Sequence, residues 1–131
     1  MGKLVLILGG PGSGKSKMLR DMFMDHVGTA RFLECRHKPD NISHIFANHS
    51  NDKTVAYLDN LEDVPEQVAG CEGSVFIDAP QFSVMQVLAM VTLASAYKVD
   101  VYAPLRLTAA GTHPFLQHRD AVSSVEYRVV E

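Results

Sequence analysis

The chain predicts an α/β fold built on a mostly parallel sheet of about five to six strands flanked by helices. Two observations carry this. Short apolar runs of strand length (Lys3–Leu8, Ser74–Asp78) lack the alternation of half-exposed strands and read as strands buried on both faces. Between such runs lie stretches of helical periodicity, and strands alternating with helices specify parallel βαβ packing. The 131 residues suit one domain. With 47% hydrophobic and 21% charged residues the composition is that of a globular protein.

The elements follow in order. Lys3–Leu8 is the first strand, ended by glycines. From Lys15 to about Val27, Met18, Leu19, Met22, Phe23 and Val27 recur at helical spacing, and Gly28 supplies a stop. Arg31–Cys35 is the second strand, and the polar, histidine-rich segment from Pro39 to Asn51 reads as loop. Thr54–Leu58 is the third strand, Asn60–Val68 a short helix ended by Gly70, and Ser74–Asp78 a fourth strand closed by a carboxylate. Phe82–Tyr97 reads as a helix with 12 of 16 positions apolar. Such a helix is buried on several sides or packs on another subunit. Val99–Ala103 is the fifth strand, Pro104–Pro114 a loop, and Ser124–Val130 a last strand.

Charge and cysteine content exclude several function classes. Twelve Lys and Arg against 15 Asp and Glu leave a net charge of −3, no footprint for nucleic acid or an anionic membrane. Ala79–Tyr97 carries no charge over 19 positions, but its Pro, Gln, Ser and Thr residues mark it as a core element rather than a membrane span. Cys35 and Cys71 form no C-x-x-C pair, so neither a zinc ribbon nor a redox motif is expected. They read as reduced thiols, and with no signal peptide the expected location is cytoplasmic. His44 and His49, like His113 and His118, are five apart, a spacing that shares no helix face and gives no zinc site.

One segment carries chemistry. The first strand runs into Gly9-Gly-Pro-Gly-Ser-Gly-Lys-Ser16, a full match to the G-x-x-x-x-G-K-[ST] phosphate-binding loop, with the required strand before it and helix after it. Gly9, Gly12 and Gly14 let the backbone approach phosphate closely. With Pro11 and Ser13 they shape a loop whose amides from Gly12 to Ser16 face the anion at a helix N-terminus. Lys15 is expected to reach the β- and γ-phosphates of ATP, and Ser16 to ligate Mg²⁺. Asp78 is the expected second Mg²⁺ ligand, through water; its alternative is a helix cap. The fold expectation thereby narrows to the P-loop NTPase type. No N-K-x-D segment marks a GTPase, since Asn51-Asp52-Lys53 has the wrong order.

Beyond Asp78 the sequence Phe76-Ile-Asp-Ala-Pro-Gln-Phe82 resembles the I-D-E-A-Q-F segment of the type II thymidine kinases. Further similarities run in the family's order. The P-G-S-G-K-S loop stands where the family has M-x-S-G-K-[ST], and Lys38-Pro39 with Ser43-His44 resembles its K-P and S-H-x-G stretch. Tyr102–Arg106 through Gly111–Phe115 looks like the G-L-x-x-D-F-x-G-x-P-F loop, and Ala121–Val130 like the final core strand. The resemblance implies ATP–Mg²⁺ as phosphoryl donor and a nucleoside as acceptor, with Gln81, Phe82, Arg106 and His113 lining the acceptor pocket. The departures matter equally. Ala79 stands where the family's Glu takes the proton from the nucleoside 5′-hydroxyl, and a methyl group accepts none. Ala109-Ala110 replaces the loop's D-F, and Asp40 directly follows Pro39, breaking the K-P-x-x-D-x-R spacing. On the same alignment the chain stops where the family's zinc-binding lobe would begin.

Smaller alternatives stay open. His113, with Asp120 or His118, is a substitute base or a solvated loop histidine. Arg106 holds phosphate or lies on the surface. Gln81 and Phe82 line the pocket or open the helix. Two functions are therefore expected: a minimal deoxynucleoside kinase, or an inactive thymidine-kinase-like module that binds ATP or ADP and acts through a protein partner; the undamaged phosphate loop leaves slow ATPase activity expected as well. The Phe82–Tyr97 helix is the surface for that partner or for a homo-oligomer.

Overall fold

A computed structural model describes residues 2–10, 12–35, 53–71 and 73–130. The expectations at Pro11, Lys38-Pro39, Asp40, Ser43-His44, His49 and the loop from Pro39 to Asn51 lie outside the described residues.

Six strands form one all-parallel sheet: β1 (Leu4–Gly9), β2 (Ala30–Glu34), β3 (Lys53–Tyr57), β4 (Ser74–Asp78), β5 (Val101–Arg106) and β6 (Val125–Val129). Their spatial order is β3-β2-β4-β5-β1-β6. The helices among the described residues are α1 (Lys15–Asp25), α2 (Val64–Ala69) and α3 (Val84–Tyr97), with 3₁₀ turns at Leu61–Asp63 and Pro114–His118. The α/β expectation holds.

Alternate residues of each strand face opposite ways, so the sheet separates two cores. Ile7, Ala30, Phe32 and Phe76 pack with Leu19 and Phe23 of α1. Leu6, Leu33, Val75, Ile77 and Val101 face the other way, against Val64 and Val68 of α2, Val87, Met90 and Ala94 of α3, and Phe115. Within the first core Phe23 meets Phe32 and Phe76 edge-on at 5.4 and 5.5 Å, and Phe76 stacks on Tyr102 at 4.5 Å. Aromatic pairs prefer these offsets.

Several boundaries depart from the sequence expectation, each for a physical reason. The first helix ends at Asp25, and Val27, counted on its apolar face, is 94% exposed beyond the His26 cap. The long apolar helix starts at Val84, not Phe82. Ser83 and Gln86 form a capping box in which the Ser83 hydroxyl accepts from the Gln86 N–H at 3.2 Å and the Gln86 side chain accepts from the Ser83 N–H at 2.7 Å. Nor is that helix buried all round. Val87, Met90 and Ala94 are buried, while Met85 is 74% exposed and Ala89, Thr92 and Ala96 share its outward side. No helix among the described residues is long and apolar enough to cross a membrane.

The fifth strand runs on to Arg106, and takes Pro104 into the sheet interior. Proline is rare there because it offers no N–H. The Val101 and Leu107 N–H groups donate to Lys3 and Gly9 of the β1 side at 2.9 Å each, so odd-numbered residues of this strand face β1. Pro104 therefore turns its missing donor toward β4. Pairing of β4 with β5 extends only over Val75↔Val101 and Phe76↔Tyr102, whereas β1 and β5 stay in register through Gly9↔Arg106. The sheet opens between β4 and β5 at its carboxyl end.

Candidate functional site

The site is built where parallel sheets commonly place one, at the carboxyl ends of the strands. β1 delivers the chain to Gly9 and Gly10, and α1 begins at Lys15. Gly12 (φ 73°) and Gly14 (φ 91°) lie in the left-handed region that favours glycine, and Gly14 caps α1 without any side-chain hydrogen bond. At Gly9 the need is space: a Cβ there would lie 2.3 Å from Ser13 Oγ. That hydroxyl is buried without a hydrogen-bond partner among the described residues. The turn closes by Ser13 N–H donating to the Gly10 carbonyl at 3.2 Å.

Lys15 folds back over the loop, its ammonium donating to the Gly10 carbonyl at 2.8 Å. Burial holds its pKa below the ordinary value, and the Arg106 guanidinium pushes the same way; Asp78 opposes them. Ser16 Oγ donates to Asp78 Oδ1 at 3.2 Å. Asp78 is wholly buried at the end of β4 and is the N-cap of no helix among the described residues; Ser83 caps α3. A hydroxyl and a carboxylate side by side are the hard oxygen donors Mg²⁺ takes, with phosphate and water completing its octahedron. The residues present thus fit that ion, which Ser16 and Asp78 would hold.

Two cavities meet here. One is walled by Gly12, Lys15, Ser16, Ala79, Pro80, Pro104 and Arg106, and occupies the opening between β4 and β5. The other, of about 460 Å³, is lined among others by Gln81, Phe82, Arg106, Thr108, Ala109 and His113. Its size is in the range of small-molecule sites. Arg106 borders both. The structure thus brings Gly12, Lys15, Ser16, Asp78, Ala79 and Arg106 to one place and Gln81, Phe82 and His113 to the next. Neither wall contains a carboxylate among the described residues.

His113 is no solvated loop residue. It is buried and N-caps the Pro114–His118 turn, its Nδ1 accepting from the Phe115 N–H at 3.0 Å. Its Nε2 lies 2.9 Å from the Phe82 carbonyl, which can only accept, so Nε2 carries the proton. With both nitrogens engaged, the ring clasps the Phe82 segment to the turn and forms wall rather than base.

Sequence reasoning passed over Glu34, which ends β2 wholly buried. Register pairs it with Asp78 on one side and Tyr57 on the other. A signal was present: Phe32-Leu-Glu34 and Val75-Phe-Ile-Asp78 both put an acid directly after apolar strand residues. No protein-family model matches the chain, and no curated protein matches it.

Proposed function

We propose that this chain binds ATP with Mg²⁺ as a thymidine-kinase-like phosphate-loop protein in which nucleoside phosphorylation is weakened, so that it serves chiefly as a nucleotide-dependent binding module. The observation carrying the reading is the 3.2 Å contact between Ser16 Oγ and Asp78 Oδ1 beneath a loop shaped by Gly12 and Gly14. Mg²⁺ would neutralise charge on the β- and γ-oxygens. The loop amides and Lys15 hold the phosphates, and Arg106 stands where transferred charge would pass between the two cavities.

The alternative, a minimal deoxynucleoside kinase, draws support from the cavity that shares Arg106. Against it stand the Ala79 methyl and His113 with both nitrogens engaged. An absent base forfeits about 10²–10⁴ in rate. We place the protein in the cytoplasm, with no nucleic-acid or membrane partner. The outward side of α3 around Met85 is the surface for a second copy or a protein partner.

The test is incubation with γ-labelled ATP, Mg²⁺ and a panel of nucleosides, beside Lys15→Ala. The expected result is ATP binding that Lys15→Ala removes, and transfer to nucleosides no faster than in that variant. Transfer clearly above it establishes the kinase instead. Ala79→Glu then asks whether the pocket is otherwise competent; a gain of nucleoside transfer shows that only the base was lost.

A further inference from the structure

We propose that Glu34 is the proton acceptor for ATP hydrolysis at this site: a carboxylate supplied by β2, serving water, where position 79 supplies none to a nucleoside. The inference rests on the nucleotide reading above and adds an activity to it.

Strand alternation fixes where Glu34 points. Ala30 and Phe32 belong to the core under α1, while Leu33 and Cys35 belong to the opposite one. Glu34 therefore lies on the α1 side. Phe76 puts Asp78 on that side too, and the register Glu34↔Asp78 makes the two carboxylates neighbours across β2 and β4. Asp78 accepts from Ser16 at the first turn of α1, beside Lys15. Glu34 is thus one strand beyond the ion-binding pair, on the face of the sheet where the phosphates would end.

Burying a carboxylate without exposure is unfavourable, and cores spend such positions sparingly. An apolar residue at 34 would extend the Phe32–Phe76 core; the chain puts an acid there instead. Among the described residues neither cavity is lined from β2, so Glu34 is set apart from an acceptor in the larger one and its place is given by Asp78 and the start of α1. The nucleophile assigned to it is water. Glu34 takes one proton of the water as its oxygen bonds to the γ-phosphorus. The bond from that phosphorus to the β,γ-bridging oxygen breaks, and the electron pair leaves with ADP. The products are ADP and inorganic phosphate, with the proton released from Glu34 to solvent.

The test uses the full chain and two readouts. In single turnover with γ-labelled ATP and Mg²⁺, Glu34→Gln is expected to slow phosphate release by about 10²–10⁴-fold. By fluorescence titration it should bind ADP within about threefold of the unaltered chain. Aluminium fluoride with ADP mimics the in-line transition state and needs a positioned water, so its tightening of ADP binding should be lost in Glu34→Gln; beryllium fluoride, which mimics bound ATP, should act on both alike. Phosphate release by Glu34→Gln within threefold of the unaltered chain overturns the assignment. So does loss of ADP binding by a folded Glu34→Gln, which would make the residue structural. Should Glu34→Gln not fold, Glu34→Asp decides: it keeps the charge but withdraws it by one methylene, and must bind ADP while releasing phosphate at least tenfold more slowly. An unaltered chain that binds ADP but releases no phosphate refutes only this proposal; one that binds no ADP removes the nucleotide reading along with it.

Discussion

Cys35 follows Glu34 in the chain and turns its thiol to the opposite side of the sheet. Burial, then the nearby charges of Glu34, Asp78 and Asp63, push that thiol from 9.0 up to about 12. At neutral pH its thiolate is on the order of a thousandfold rarer than at an ordinary thiol. Iodoacetamide at pH 8 is accordingly expected to label half-buried Cys71 well before Cys35, read by peptide mass. The sign of the linkage follows. A thiol whose folded value is raised favours folding while it stays protonated, so its contribution is whole below about pH 9. It is lost as pH rises from 9 towards 12, because the unfolded chain releases the proton first. Urea midpoints measured at pH 8 and 10.5 should fall more in the unaltered chain than in Cys35→Ala. An equal fall in both would show that Cys35 is not the group responsible.

At the level of the element, the start of α3 is set by Ser83 and Gln86, and the same segment is tied from the other side by His113. Removing the cap with Ser83→Ala is expected to lower stability by about 1 kcal/mol. Removing the clasp with His113→Ala leaves the Phe82 carbonyl and the Phe115 N–H without their partner, a loss of about 1–3 kcal/mol. Both are read from urea midpoints, and ADP affinity should change little, since neither residue lines the cavity walled by Lys15 and Ser16. An unchanged midpoint in His113→Ala would mean that the ring is held by its neighbours and not the reverse. These elements also show what the sequence could convey. β4 was legible to the residue because an apolar run bounded by Gly73 and Asp78 admits one register. The loop was legible because glycine spacing is itself the geometry. Periodicity misplaces the start of α3 because Phe82 continues the apolar pattern, while the cap that ends it lies in hydrogen bonds that periodicity does not register. Pro104 hides the length of β5 in the sequence because proline normally argues against a central strand; only the neighbours show that its missing N–H faces an opening. Glu34 escaped for a similar reason, since its meaning comes from lying beside Asp78, 44 positions on in the chain.

Across the whole molecule the sheet keeps two tasks apart. Its α1 side carries Lys15, Ser16, Asp78 and Glu34 at one end and an aromatic core beneath. Its other side carries α2, α3 and most of the aliphatic core. The glycine-rich loop joins β1, paired on both flanks, to α1, whose Leu19 and Phe23 are fully buried. A ligand held on that loop is therefore held by the folded state and hardly at all by the unfolded chain. Its binding free energy must appear as stability. At a ligand concentration one hundred times Kd the gain is about 2.7 kcal/mol. For a domain between the 60–100 and 150–250 residue classes, that corresponds to a rise in Tm of roughly 8–14 °C. ATP with Mg²⁺ should produce this rise, ATP with excess EDTA a smaller one, and Lys15→Ala none. Asp78→Asn separates the parts further: it keeps a hydrogen-bond acceptor for Ser16 but weakens the ion site, so its thermal response to ATP should no longer depend on Mg²⁺. If Asp78→Asn retained the full Mg²⁺-dependent increment, the ion would be held elsewhere, and the pairing of Ser16 with Asp78 would be a helix anchor and nothing more.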